Sequence, residues 1–461
     1  IVEGLGEPRI ALVLSACQGV TDQLIQLVTL AERNEDAALT AALDRLRLRH
    51  ERIATELLAA DARQAFLATL RADLADLQRM LQAVALVRSA GRDLQDRVAG
   101  FGELWSSRLF ADFLSGRGGR DPVRWLDARK IIVVEWGALG PGVQWGPSQS
   151  HAAECVPSDA RTLVVPGFVA TDTRGLQTTL GRNGSDFSAS ILAALLDAAG
   201  IVIWTDVDGV LSADPRLVPD AKVIDALSYD EAMELAYFGA KVIHPQTMAP
   251  AVAKDIPIRI RNTFSPQARG TSIVAKPASQ HVVKGITSID DVALVNVEGA
   301  GMIGVPGTAH RLFGALHEAT VSVILISQGS SEHSICCAIP AAQAGSAERA
   351  IRRAFAAELR DGQIQSVEVT AGCAIIAVVG DGMAGARGIS GQLFGALGKA
   401  GVNVRAIAQG ASERNISVVV DRGDTPKALG AVHARFYLSP HTLSVGLIGP
   451  GTVGSVLLQQ L

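Results

Sequence analysis

Aromatic residues are scarce in this 461-residue sequence, with five Trp, three Tyr and twelve Phe, and there are only five cysteines. Cys17, Cys155, Cys336, Cys337 and Cys373 form an odd set without paired metal-ligand spacing, so reduced thiols in a cytoplasmic setting are expected and no metal site is assigned. Cys336 and Cys337 are adjacent in a β-like SICCAI run, where side chains alternate faces, so at most one of them meets a core. Also missing is any uninterrupted apolar run of about eighteen residues, so no membrane span is expected. Nor is there an excess of one charge. A formal net charge of −4 gives no broad attraction to nucleic acid or anionic lipid, which leaves small molecules and other protein subunits as partners. What is present, 48% hydrophobic and 19% charged residues, describes a globular chain of two to four domains.

Between Thr179 and Ser190 the chain reads TLGRNGSDFSAS, ahead of an apolar helical run. Gly181 and Gly184 permit a tight turn, and Ser185 or Asp186 can cap a helix through Ile191 to Ala199. Arg182 stands at the positive end of that helix, a corner suited to an anion. A capped connection with a surface Arg is the alternative. About twenty residues later IVIWTDVDGVLSADPR reads as a buried parallel strand ending in acidic, Gly-rich loop chemistry. Ligands of open α/β sheets collect outside the carboxyl ends of strands, where Thr205, Asp206 and Asp208 fall. Here Asp and Gly as ordinary turn formers remain the alternative.

From Gln23 to about Leu114 apolar residues recur at helical spacing, as in Leu67, Leu70, Leu74 and Leu77, predicting a helical layer. Residues 123 to 275 alternate β-rich runs such as KIIVVE and TLVVPGFVA with loops and helices, the pattern of an α/β sheet. The stretch Lys276 to His281 reads as a linker. A repeat follows, in which GMIGVPGTAHRLFGALHEATVSVILISQGSSEHSI aligns without gaps on GMAGARGISGQLFGALGKAGVNVRAIAQGASERNI. Met302 matches Met383 and Gln328 matches Gln409 at one constant offset, and each copy reads strand, Gly-rich turn, helix, strand, polar loop, strand. Finally LSVGLIGPGTVGSVLLQQL places Gly449, Gly451 and Gly454 in GxGxxG register between a short strand and a helix start, a dinucleotide-binding signature.

Together these segments resemble the aspartate kinase family of the amino-acid kinase fold. The resemblance extends to LSACQGVTD from Leu14 to Asp22, GFGELWSS from Gly100 to Ser107 apart from Phe101, PGFVATDTRGLQTTLGRNGSDFSA, and FGAKVIHPQTM from Phe238 to Met248. The two repeats resemble ACT modules, small α+β units that bind amino acids, and the tail resembles the opening of a fused homoserine dehydrogenase. The expected architecture is α/β: an amino-acid kinase domain over 1–275, tandem ACT modules over 276–440, and the first strand and helix of a Rossmann domain over 441–461.

The resemblance implies phosphoryl transfer from ATP with Mg²⁺ to the side-chain carboxylate of L-aspartate. By the same resemblance Arg182 grips a substrate carboxylate, Glu103 and Asp186 accept from its ammonium, and Ser15, Thr21 and Ser185 hydrogen-bond its carboxylates. Thr205, Asp206, Arg216 and Lys241 match the nucleotide-binding positions, with Leu211 standing where many relatives carry Tyr. Gln328 and Gln409 match effector-contacting glutamines of threonine-sensitive relatives, with lysine as the competing effector. Paired modules imply a homo-oligomer, and Gly449, Gly451 and Gly454 imply NAD(P) for a dehydrogenase continuing past Leu461. His244 is expected to be structural. The family's Lys-Phe-Gly-Gly strand is expected upstream of Ile1, so the chain reads as truncated at both ends. An amino-acid sensor that keeps the kinase fold without activity is the other reading.

Overall fold

The computed structural model describes residues 1–2, 6–118, 122–138, 140–238, 244–278, 281–330 and 332–437. Two compact units emerge, Ile1–Val210 with Val223–Ser279, and Leu211–Lys222 with Gln280–Leu461.

In the first unit, strand β1 (Ile10–Leu14) leads into the predicted helical layer: α1 (Val20–Glu32), α2 (Asp36–Leu57), α3 (Ala60–Val87), α4 (Arg92–Ala99) and α5 (Phe101–Arg117). In α3, Phe66, Leu70, Leu77, Leu81 and Val84 recur at three-, four- and seven-residue steps and are buried, which is why this Ala- and Leu-rich stretch coils and lies flat on its neighbours. Trp105 anchors the layer. Its ring is fully buried against His50 and Phe101, and its indole nitrogen donates to Asp73 at 3.0 Å.

Three sheets follow. β2 (Val123–Trp125) and β5 (Thr162–Pro166) join β1 in a parallel sheet, with β5 central and all five of its residues buried, as its TLVVP sequence requires. β3 (Val133–Gly137), β4 (Gly140–Val143), β6 (Val169–Asp172) and β7 (Gln177–Thr179) form the second, in the order β4-β3-β6-β7, and α6 (Trp145–Cys155) follows β4. α7 (Gly184–Leu195) then leads to the third sheet. This contains β8 (Ile201–Thr205), β9 (Ala226–Ser228), β10 (Ile258–Asn262) and β11 (Thr271–Val274), in the order β8-β10-β11-β9. Ser228 and Glu231 form a reciprocal capping box that starts α8 (Tyr229–Tyr237). α9 (Pro245–Ala253) begins at a His244 cap whose ring accepts from the Gln246 amide, a structural role.

Two sequence expectations are corrected here. β8 is parallel, to β10, but it is an edge strand and Val202 is 45% exposed, so it is not the buried strand its β-branched run suggested. Composition reports β propensity and cannot count the neighbours a strand acquires. Likewise α7 begins at Gly184 behind a left-handed Asn183, with no side-chain cap, and ends at Leu195 rather than Ala199. Ser185 and Asp186 therefore lie inside its first turn. Asp197 turns left-handed and the Ala198 amide donates back to the Ala193 carbonyl, closing the helix early.

The second unit is built from the two repeats. β12 (Gly285–Glu298), α10 (Thr308–Glu318), β13 (Leu325–Gln328) and β14 (Ser334–Pro340) make the first, followed by α11 (Ala344–Ala354) and α12 (Ala356–Arg360). β15 (Ser366–Val379), α13 (Ile389–Lys399), β16 (Ala406–Gln409) and β17 (Asn415–Asp421) make the second, closed by α14 (Thr425–Tyr437). They share one six-stranded sheet, β13-β14-β12-β15-β17-β16, in which the long antiparallel β12–β15 pair joins the repeats at the centre. Cys337 is buried in this core and Cys336 only half-buried, as the alternation required.

Candidate functional site

The TLGRNGSDFSAS corner is assembled around the end of β1. The Ser106 hydroxyl on α5 donates to the Ser15 carbonyl at 2.7 Å, and the Gly167 amide, just past β5, donates to the Leu14 carbonyl at 2.9 Å. Gly167 abuts α7, since a Cβ built on it would lie 2.7 Å from Ser185 Oγ. A Cβ on Gly184 would meet the Phe168 ring at 2.5 Å, so close approach rather than turn conformation requires glycine there; Gly181, with φ 75°, is the turn. Phe168 itself is held left-handed at φ 66°, its amide donating to Ser188 Oγ at 2.9 Å. Thr21 follows in the first turn of α1. So Glu103 and Ser185 are brought to the segment 14–16 that holds Ser15, with Asp186 next to Ser185 in the first turn of α7 and Arg182 exposed just ahead of it.

Glu103 is the electrostatic centre. It is 4% exposed on α5, and its Oε2 has no hydrogen-bond partner among the described residues. Burial pushes its pKa up to about 7, against the pull of its own and the Ala16 backbone amides. Burial alone lifts Asp186 to about 6. Glu103 and Asp186 are thus two desolvated carboxyl groups for which no ion pair is found among the described residues, and Arg182 is an exposed guanidinium just ahead of the helix that carries Asp186. That arrangement suits a ligand carrying both an ammonium and carboxylates.

The nucleotide candidates divide. Thr205 and Asp206 stand at the end of β8, where the Thr205 hydroxyl donates to Asp206 Oδ1 at 3.2 Å. Beside them, the Thr263 amide donates to the Thr205 carbonyl at 2.8 Å and Phe264 projects 84% exposed, a ring the sequence reading passed over. Its only sequence signal is an aromatic in a polar loop after a strand. Arg216 instead belongs to the second unit, forked onto Asp214 through bonds of 3.0 and 2.6 Å. Lys241, Gly449, Gly451 and Gly454 lie outside the described residues.

Gln328 and Gln409 end β13 and β16, the two edge strands of the second unit, and both are exposed. Each following loop is clasped by a glutamate that sequence reasoning missed. Glu332 accepts from the Gly304 amide at 2.9 Å and Glu413 from the Gly385 amide at 2.7 Å, both from left-handed backbone. The matched Glu in QGSSE and QGASE was the available signal.

Residues 3–262 match the amino acid kinase family, and residues 295–355 and 376–436 each match an ACT domain. The lysine-sensitive aspartokinase 3 of Escherichia coli is 31% identical over 92% of both chains. The chain belongs to the aspartokinase branch of the amino acid kinase family. The chloroplastic bifunctional aspartokinase/homoserine dehydrogenase 1 of Zea mays is 44% identical over 98% of the chain. The chain spans about half the length of such bifunctional relatives. Among solved structures, E. coli aspartokinase III in complex with aspartate and ADP superposes with a TM-score of 0.76 at 28% identity, covering 93% of each chain. The same enzyme has been solved with lysine and aspartate, at a TM-score of 0.73. Among the described residues, no helix is long and apolar enough to cross a membrane.

Proposed function

We propose that this chain binds L-aspartate and ATP and transfers the γ-phosphoryl group to the aspartate side chain. The side-chain carboxylate oxygen attacks the γ-phosphorus, the bond to the bridging oxygen breaks, and aspartyl 4-phosphate and ADP result. The observation that carries this reading is Glu103, a buried carboxylate with an oxygen that no described donor reaches. It accepts from the substrate ammonium together with Asp186. Arg182 grips a carboxylate with its planar fork, and Ser15, Thr21 and Ser185 supply hydroxyl donors. Holding both anions in line is most of what phosphoryl transfer asks of a protein.

Thr205, Asp206, Arg216 and Lys241 take the nucleotide in this reading, and Phe264 offers its exposed face to the base. Mg²⁺ travels on the phosphates and needs only one or two carboxylates from the protein. Asp206 and Asp208 at the β8 end would hold it, and it would there neutralise phosphate charge. The ACT repeats hold an amino-acid effector at Gln328 and Gln409, threonine in preference to lysine, and pair with those of a second copy. Residues 441–461, with Gly449, Gly451 and Gly454, open an NAD(P)-binding segment of a homoserine dehydrogenase, the activity named in the bifunctional relatives.

Coupled ADP release with L-aspartate, L-glutamate or no acceptor tests the reaction. Release above the no-acceptor rate with L-aspartate alone is expected, and its loss in Arg182→Ala. Equal rates with all three overturn it.

A further inference from the structure

Beside the corner that carries Arg182, four side chains from three elements of the first unit close a ring. Trp136 on β3 donates through its indole nitrogen to Thr178 Oγ1 on β7 at 3.0 Å, and the Thr178 hydroxyl donates in turn to Asp96 Oδ2 on α4 at 2.9 Å. One turn back on α4, Arg92 lies 3.8 Å from the same carboxylate and stacks its guanidinium on the Trp136 ring, 3.3 Å from the centroid. Thr178 is buried and uses its one donor and an acceptor lone pair inside this ring, so its rotamer is fixed from both sides.

The ring stands at the base of the turn that presents Arg182. Thr178 lies four residues ahead of Arg182, and Thr179 and Leu180 between them are buried. Gly181, left-handed at φ 75°, makes the turn, and a Cβ built on it would lie 3.5 Å from Trp136 Cη2, ordinary van der Waals contact. The indole edge therefore flanks the turn without filling it, and it meets the residue immediately before Arg182. α4 supplies a fixed floor. A Cβ on Gly100, where α4 passes into α5, would meet Gln177 Nε2 at 2.6 Å and Val169 Cγ1 at 2.7 Å, so this helix junction presses directly on β6 and β7. Arg182 is exposed, so its reach toward a ligand depends on where the turn holds its backbone.

We infer that Trp136 and Asp96 are positioning residues that hold the Gly181–Arg182 turn, and through it the guanidinium that grips the acceptor carboxylate. The inference rests on the reading of Arg182 as an aspartate ligand and extends it to side chains outside the TLGRNGSDFSAS motif. Both act through Arg182: Trp136 by its contact with Gly181, and Asp96 by orienting Thr178 and hence the indole. Their loss therefore appears in L-aspartate affinity, only while Arg182 is present, and not in ADP affinity.

The test is calorimetric titration of the chain with L-aspartate and, separately, with Mg-ADP, for Arg182→Ala, Trp136→Phe, Asp96→Ala, Asp96→Asn and the Arg182→Ala/Trp136→Phe pair. Arg182→Ala is expected to raise the L-aspartate Kd at least about tenfold, as loss of a charge-assisted contact does. Trp136→Phe keeps a ring for Arg92 but neither the indole donor nor the edge that reaches Gly181, and Asp96→Ala leaves Thr178 without its acceptor. Each is expected to raise that Kd about fivefold. Asp96→Asn, whose amide oxygen still accepts from Thr178, stays near the parent value. The pair binds no more weakly than Arg182→Ala alone, and ADP affinity stays unchanged throughout. If Arg182→Ala leaves aspartate binding intact, the assignment of Arg182 fails and the inference with it. If Arg182→Ala weakens aspartate while Trp136→Phe and Asp96→Ala do not, if these two weaken ADP as much as aspartate, or if the losses add in the pair, the positioning inference alone is overturned.

Discussion

Gly167 and Ser185 stand so close that a single added methyl group would bring Cβ within 2.7 Å of the serine hydroxyl and 2.8 Å of its Cα. The first turn of α7, which carries Ser185 and Asp186, is therefore seated on bare backbone. Because one of the clashing atoms is backbone, the helix start itself has to move. Gly167→Ala should destabilise the chain by about 1–3 kcal/mol, the usual cost of overpacking, and weaken L-aspartate binding while leaving ADP binding in place. Thermal unfolding together with the two titrations checks this. Parent-like aspartate affinity would show that the α7 start is not part of the acceptor site.

Glu103 and Asp186 predict a pH dependence whose sign can be worked out. Both folded-state pKa values lie above the ordinary carboxyl range, at about 7 and about 6. The folded chain therefore holds protons that the unfolded chain has released, and the stability these groups contribute is present at low pH and lost as pH rises through about 6 to 7. A substrate ammonium reverses the preference by favouring the ionised forms. L-aspartate affinity should increase from about pH 5.5 to 8 with release of protons, measured by calorimetry in buffers of different ionisation enthalpy. Glu103→Gln should abolish most of that release. A pH-independent Kd would remove both carboxyls from the site.

In the regulatory unit, the matched geometry of the two repeats predicts matched responses. Gln328→Ala or Gln409→Ala should weaken threonine inhibition at least about fivefold, within the usual 1–3 kcal/mol of allosteric coupling. Glu332→Gln and Glu413→Gln should weaken it less, because the Gly304 and Gly385 amides keep a neutral acceptor. Dose–response curves with threonine and with lysine distinguish the effectors. Unchanged threonine inhibition in both glutamine variants would exclude these loops as the effector site.

Much of this architecture was legible from residue patterns with a strong period. The Leu67 to Leu77 spacing gave a helix, TLVVPGFVA a β-rich run, and the gapless repeat two modules of like strand and helix order. What escaped was whatever depends on neighbours distant in sequence. β-branched IVIWT does not reveal that β8 is an edge strand, and Ser185 and Asp186 offer cap-type side chains although a left-handed Asn183 starts α7. The acidic loop chemistry after β8 does not state that Ala213 and Val218 pack with Ile286, Val378 and Val432, all more than sixty residues away. The candidate acceptor residues were nameable because their motifs are dense. Their electrostatics were not, since a raised carboxyl pKa comes from burial that no local pattern states.

The central claim is that Arg182, Glu103 and Asp186 form a site for L-aspartate, and calorimetric titration of the chain with L-aspartate and with L-glutamate tests it most directly. Saturable binding of L-aspartate in preference to L-glutamate, weakened at least about tenfold by Arg182→Ala, is the predicted result. Absence of saturable L-aspartate binding, or an Arg182→Ala variant that binds as tightly as the parent, would contradict it.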